Sequence, residues 1–135
     1  MAAKVLDSWA LIAFLEDEPA ANHVEKLLQQ ATQGKQKLLM SVLNWGEVYY
    51  NTMREVSQEA AEQQAQEVAA LPIDVIGVGD DLTLARQAAI FKARHKMSYA
   101  DCFAAALAKE RNAQLVTGDR EFKAVQGEIQ IGWLT

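Results

Sequence analysis

At 135 residues, 50% apolar and 23% charged, the chain is long enough to bury a core and too rich in apolar residues for a disordered polymer. A formal charge of −5 argues against nucleic acid held on a broad basic surface, and no apolar run reaches the roughly 18 residues of a membrane span. One cysteine, Cys102 in "CFAAALA", allows no internal disulfide and reads as a buried, inert thiol; with no basic flank leading an apolar segment at the N-terminus, a single cytoplasmic domain over residues 1–135 is expected.

In chain order, short apolar runs alternate with longer helical patterns. A strand is expected over Ala3–Leu6, then a short apolar helix from Ser8 to Leu15 and a second from Pro19 to Thr32, proline being well tolerated at a helix start. A second strand, Lys37–Val42, leads into helices Asn44–Glu55 and Ser57–Ala70, the latter polar on one face and stopped before Pro72. A third strand, Ile73–Val78, is followed by helices Asp80–Arg94 and Ser98–Arg111. Ala113–Thr117 and Glu128–Leu134 complete the strands, with a short helical turn starting at Asp119. Strands separated by helices in this way predict parallel β-α-β units and a layered α/β domain.

Four acids fall in one kind of place. Ligands of open parallel sheets sit beyond the carboxyl ends of the strands. Asp7 follows the first strand, Glu47 lies just after the second in "SVLNWGEV", and Asp119 follows the fourth in "LVTGDREF". Asp101 opens the helix "SYADCFAAALA", which can point at the same edge. Each acid alone also suits a helix cap: Ser98-Tyr99-Ala100-Asp101 fits the capping box, Asn44-Trp45-Gly46-Glu47 resembles its Asn version, and Asp7 or Asp119 can be an N-cap. Asp7, Glu47 and Asp101, however, are embedded in apolar sequence with few basic neighbours. Converging carboxylates repel by about 1–4 kcal/mol per pair and must take up protons or bind a cation. Oxygen ligands without His or Cys at ligand spacing favour Mg²⁺ or Mn²⁺ over zinc. Neutralising four acids in this way would bring the acidic and basic counts almost level. Such a site suits phosphodiester hydrolysis by an activated water, with no protein nucleophile.

Through "VLDSWALIAFLEDEP", "SVLNWGEVYY", "MSYADCFAAALA" and "LVTGDREFK", in that order, nearly the whole chain resembles a PIN domain, and more narrowly the VapC-type ribonuclease toxins of toxin-antitoxin pairs. The resemblance implies a three-layer α/β/α sandwich on a mainly parallel sheet of about five strands. It implies an acidic quartet of Asp7, Glu47, Asp101 and Asp119 as catalytic metal ligands, supported by the hydroxyls of Ser8 and Thr117, with Mg²⁺ or Mn²⁺ as cofactor and RNA as substrate. It also implies an antitoxin occupying the acidic cleft, and a homodimer.

Trp9 departs from the small or hydroxyl residue that many relatives carry there. It reads as core packing in a short helix, the sharper alternative being an aromatic wall for a base. Glu121 is a second candidate ligand beside Asp119. Lys92, Arg94, His95 and Lys96 form a basic cluster, and Arg94, Lys96 and Arg120 are candidate phosphate contacts, although cations at a helix C-terminus are expected from the dipole alone. His23 reads as a surface residue. The stripe Trp45, Val48, Tyr49 and Met53 is most simply core, with part available to a subunit interface. An aspartyl phosphatase would want a second Asp where Trp9 stands. The non-enzymatic alternative is a silent PIN-like module that binds RNA or protein.

Overall fold

The structure, a computed structural model, describes residues 2–134. Its centre is a sheet of five parallel strands: β1 (Ala3–Leu6), β2 (Lys37–Ser41), β3 (Asp74–Ile76), β4 (Gln114–Thr117) and β5 (Gln130–Trp133), in the order β3-β2-β1-β4-β5. Six α-helices surround it: α1 (Ser8–Leu15), α2 (Ala21–Thr32), α3 (Val42–Glu55), α4 (Gln58–Ala69), α5 (Thr83–Arg94) and α6 (Tyr99–Glu110), with a 3-10 helix at Arg120–Val125. This is the layered α/β architecture that the alternating pattern predicts.

Strand side chains alternate between two buried layers, as a pleated backbone requires. Val5, Leu39 and Leu115 pack with Leu84, Phe91 and Leu107 of α5 and α6. Leu6, Leu38, Met40 and Val116 pack with Leu11 of α1 and Val24, Leu27 and Leu28 of α2. Each fully buried side chain of this size contributes about 1.5–3 kcal/mol of transfer free energy. Both sheet faces are therefore closed, which leaves the strand ends as the place for a ligand. Among the described residues no helix is long and apolar enough to cross a membrane.

The order of strands locates that place more closely. From β1 the chain moves outward through β2 and β3, then returns to add β4 and β5 on the other side. The crevice between the carboxyl ends of β1 and β4 is the topological switch point, where open parallel sheets bind ligands. Asp7 directly follows β1, and Asp119 lies two residues past β4.

Several element ends differ from expectation, each for a local reason. Strand β2 stops at Ser41 because its Oγ accepts from Leu43 N at 3.2 Å, capping α3. Helix α3 thus starts at Val42, and Asn44 lies inside it; the Asn-type capping box at Asn44 to Glu47 does not form. Helix α2 begins at Ala21 rather than Pro19, and α5 at Thr83 rather than Asp80, behind Leu82 in the left-handed region (φ 65°). Strand β3 is a short edge strand with Val75 open to solvent. In the α3 stripe Val48 is buried, but Met53 is 45% exposed and is not core. Cys102 is fully buried.

Candidate metal centre

Helix α6 carries Asp101 to the site. It is buried along nearly its whole length, from Asp101 through Ala108, and contacts β1, β2 and β4. Its run of alanines lets the helix approach the sheet closely, and Ser98 Oγ caps it by accepting from Asp101 N at 3.1 Å. Asp101 is thereby held in the first turn, where the helix dipole favours a carboxylate.

Asp7 is the N-cap of α1 and is buried. Its Oδ1 accepts from Ala10 N at 2.9 Å and its Oδ2 from the Thr117 hydroxyl at 2.6 Å. Thr117 Oγ1 in turn accepts from Asp119 N at 3.0 Å, so one hydroxyl ties the end of β1 to the end of β4 across the switch point. Asp119 Oδ1 accepts from Glu121 N at 3.0 Å and caps the 3-10 helix. Glu47, one turn into α3, takes two hydrogen bonds on a single oxygen: Ser8 Oγ donates to Oε1 at 2.9 Å and Asn44 Nδ2 at 3.0 Å.

Carboxylate oxygens of Asp101, Asp119 and Glu121 lie within 4.8 Å of one another. Asp7 and Glu47 stand outside that trio but in its field. The charge of Asp7 is opposed by Asp101 and Asp119, and that of Asp101 by Asp119, Glu47 and Glu121. Among the described residues none of these five acids is ion-paired; the two ion pairs, His95 with Glu128 and Arg111 with Glu110, involve other groups.

The electrostatic consequence is large. Burial, partly offset by the Thr117 hydroxyl and the Ala10 amide and reinforced by the neighbouring acids, raises the Asp7 pKa from 3.8 to about 7. Burial followed by Asp119 and Glu47 raises Asp101 to about 7 as well, against the hydrogen bond from Ser98. Two acids of the cluster thus titrate near neutrality, where a bound cation competes with their protons. An all-oxygen set of this kind fits Mg²⁺ or Mn²⁺, which accept carboxylates and keep some of their water.

Around the acids, Trp9 is half-buried and its indole lies over buried Gly118, between Thr117 and Asp119. A Cβ at Gly118 would stand 2.2 Å from the ring, so glycine is required there by close approach. Trp9 thus packs on the loop carrying Asp119 and is not one of the fully buried core residues. Of the basic groups, Lys92 is committed to the carbonyl of Met97 (2.6 Å) and His95 to Glu128 (2.9 Å). Arg94 and Lys96 are exposed; Arg120, also exposed, has its guanidinium 5.9 Å from the Trp133 ring centre.

Asn44, expected at the start of α3, lies inside it. It is fully buried, yet its Oδ1 has no hydrogen-bond partner, which costs about 1–3 kcal/mol. The signal was available: Ser41, three residues earlier, already supplies the cap.

A family model described as PIN domain matches residues 4–128. No curated protein matches significantly. Among solved structures, DNA-bound VapBC from Salmonella typhimurium superimposes with a TM-score of 0.77 at 16% identity, covering 100% of both chains. FitAcB from Neisseria gonorrhoeae gives 0.72 at 14% identity, covering 97% of each chain. A Mycobacterium tuberculosis VapC described as a sarcin-ricin loop cleaving toxin gives 0.68 at 19% identity, over 91% of this chain and 95% of that one. At these identities the likeness is one of fold.

Proposed function

The chain belongs to the PIN domain family, and from that premise we propose that it is a Mg²⁺- or Mn²⁺-dependent endoribonuclease, the toxin of a cytoplasmic toxin-antitoxin pair. The observation that carries the reading is the unpaired acidic cluster at the switch point: Asp101, Asp119 and Glu121 within 4.8 Å, with Asp7 and Glu47 in their field. Asp7, Glu47, Asp101 and Asp119 are the proposed catalytic ligands, joined by Glu121. A bound divalent cation would supply Lewis-acid stabilisation of charge on the phosphate and lower the pKa of the attacking water.

The chain's own residues do the rest. Thr117 holds Asp7 Oδ2 and, through its accepted bond from Asp119 N, keeps two ligand-bearing segments in register. Ser8 holds Glu47 Oε1 and leaves Oε2 free of protein donors. Arg94, Lys96 and Arg120, exposed near the segments that carry Asp101 and Asp119, are the proposed phosphate contacts and would position the backbone without reading sequence. Solved neighbours described as a toxin-antitoxin complex from Klebsiella pneumoniae and as a member of a family of toxin-antitoxin systems from Mycobacterium tuberculosis support an antitoxin partner. Tyr50, Met53 and Val56, apolar and exposed along α3 and at its end, support pairing as a homodimer.

The test is cleavage of a structured RNA panel with Mg²⁺ or Mn²⁺ by wild type and Asp101→Asn. Metal-dependent cuts made only by the wild type are expected. Folded wild-type protein that binds metal but leaves the RNA intact would favour the silent binding module.

A further inference from the structure

Asn44 has costs that the fold does not explain. It occupies the interior of α3, where asparagine is a poor helix former, and it is fully buried with Oδ1 unpartnered. It does not cap the helix, because Ser41 does. Among the described residues the one bond its side chain makes is from Nδ2 to Glu47 Oε1, three residues on. A carboxylate oxygen only accepts, so the amide must present its NH₂ group there and turn its carbonyl away from Glu47. The orphaned acceptor follows from that bond.

Ser8 donates to the same oxygen from α1. Two donors from two different helices therefore converge on Oε1, while among the described residues Oε2 receives none. A carboxylate fixed in this way cannot exchange its oxygens by rotation without breaking both bonds. We propose that Asn44 is a positioning residue: with Ser8 it clamps Glu47 Oε1 so that Oε2 is the atom presented to the cation. Asn44 acts through Glu47 and touches neither substrate nor metal. The inference rests on the metal-site reading above and adds to it which ligand atom is used and what selects it.

The test compares the full chain as wild type, Asn44→Leu, Ser8→Ala, Glu47→Gln and the Asn44→Leu/Glu47→Gln pair. Mn²⁺ affinity is read by calorimetry and thermal stability is read separately in EDTA. Leucine keeps the branched shape of asparagine, with bulkier methyl groups, and removes the unpartnered acceptor together with the donor. Asn44→Leu should weaken Mn²⁺ binding by about 10–100-fold, in the range for groups that orient a ligand, while Tm in EDTA records separately any packing cost of the larger side chain. Ser8→Ala should weaken binding in the same direction, and Asn44→Leu should add no further loss in the Glu47→Gln background. A wild-type Mn²⁺ affinity in Asn44→Leu, or an equal loss with and without Glu47, would overturn the proposal. If Asn44→Leu does not fold, Ser8→Ala decides: unchanged Mn²⁺ affinity overturns the clamp and a loss supports it. Folded wild type that binds no Mn²⁺ would overturn the metal site itself, a failure distinct from that of the clamp.

Discussion

Helices α3 and α6 start alike and end up used differently. Each is capped by a serine hydroxyl, Ser41 on Leu43 N and Ser98 on Asp101 N, and each carries an acid toward the switch point. On α6 the cap and the acid coincide, since Ser98 bonds the amide of Asp101 itself, so the helix start and the proposed ligand are one structural unit. On α3 they are separate. Ser41 ends the strand, and a second pair of residues, Asn44 and Ser8, orients Glu47 one turn further in. An acid at a helix start is thus no evidence of capping until the cap is assigned.

Replacement of the α6 acid should have the largest effect. Asp101→Asn should lower RNA cleavage by more than about 100-fold while Tm in EDTA holds or rises, because a buried, repelled charge is removed; single-turnover assays beside thermal melts check both. Loss of activity through unfolding would instead make Asp101 a structural residue.

The pH response of the metal-free protein comes next. Asp7 and Asp101 have native pKa values raised from 3.8 to about 7, so between those values the folded chain binds more protons than the unfolded one. As far as these two groups decide, stability is highest near pH 4, falls as pH rises toward 7 and levels off above it. Melts in EDTA across that window should show the fall, and Mn²⁺ should restore stability on the alkaline side.

Gly118→Ala probes the loop between β4 and the 3-10 helix, where Trp9 packs. Its methyl group would displace Trp9, costing about 1–3 kcal/mol and shifting indole emission to the red; adding Trp9→Ala should recover part of the loss. The smallest effect separates the two caps. Ser41→Ala and Ser98→Ala should each cost about 1 kcal/mol, measured by denaturant unfolding, but only Ser98→Ala should also weaken Mn²⁺ binding, because only its partner is the amide of a ligand.

Much of the fold was legible in sequence because it rests on local pattern. The parallel strands appear as apolar runs, and α6 as an alanine-rich helix opened by a serine. Legibility failed where two distant segments decide the outcome. Thr117 entered as a supporting hydroxyl through the family resemblance alone, for nothing in its local sequence announces that it meets Asp7, 110 positions away. Trp9, on α1, read as core because its packing partner, Gly118, belongs to the distant loop after β4. Among the candidate ligands the grouping was also non-local: the close trio includes Glu121, brought in because Asp119 caps the 3-10 helix on which it sits. The start of α3 was set at Asn44 for the opposite reason, a local resemblance to a capping box where Ser41 already satisfies that helix end.

The central claim is that these acids form one cation site, and calorimetric titration of Mn²⁺ into the metal-free protein tests it most directly. Saturable binding in the micromolar to millimolar range by the wild type, abolished in Asp101→Asn with the fold intact, is the predicted result. A folded wild type that takes up no Mn²⁺ and no Mg²⁺ would contradict it.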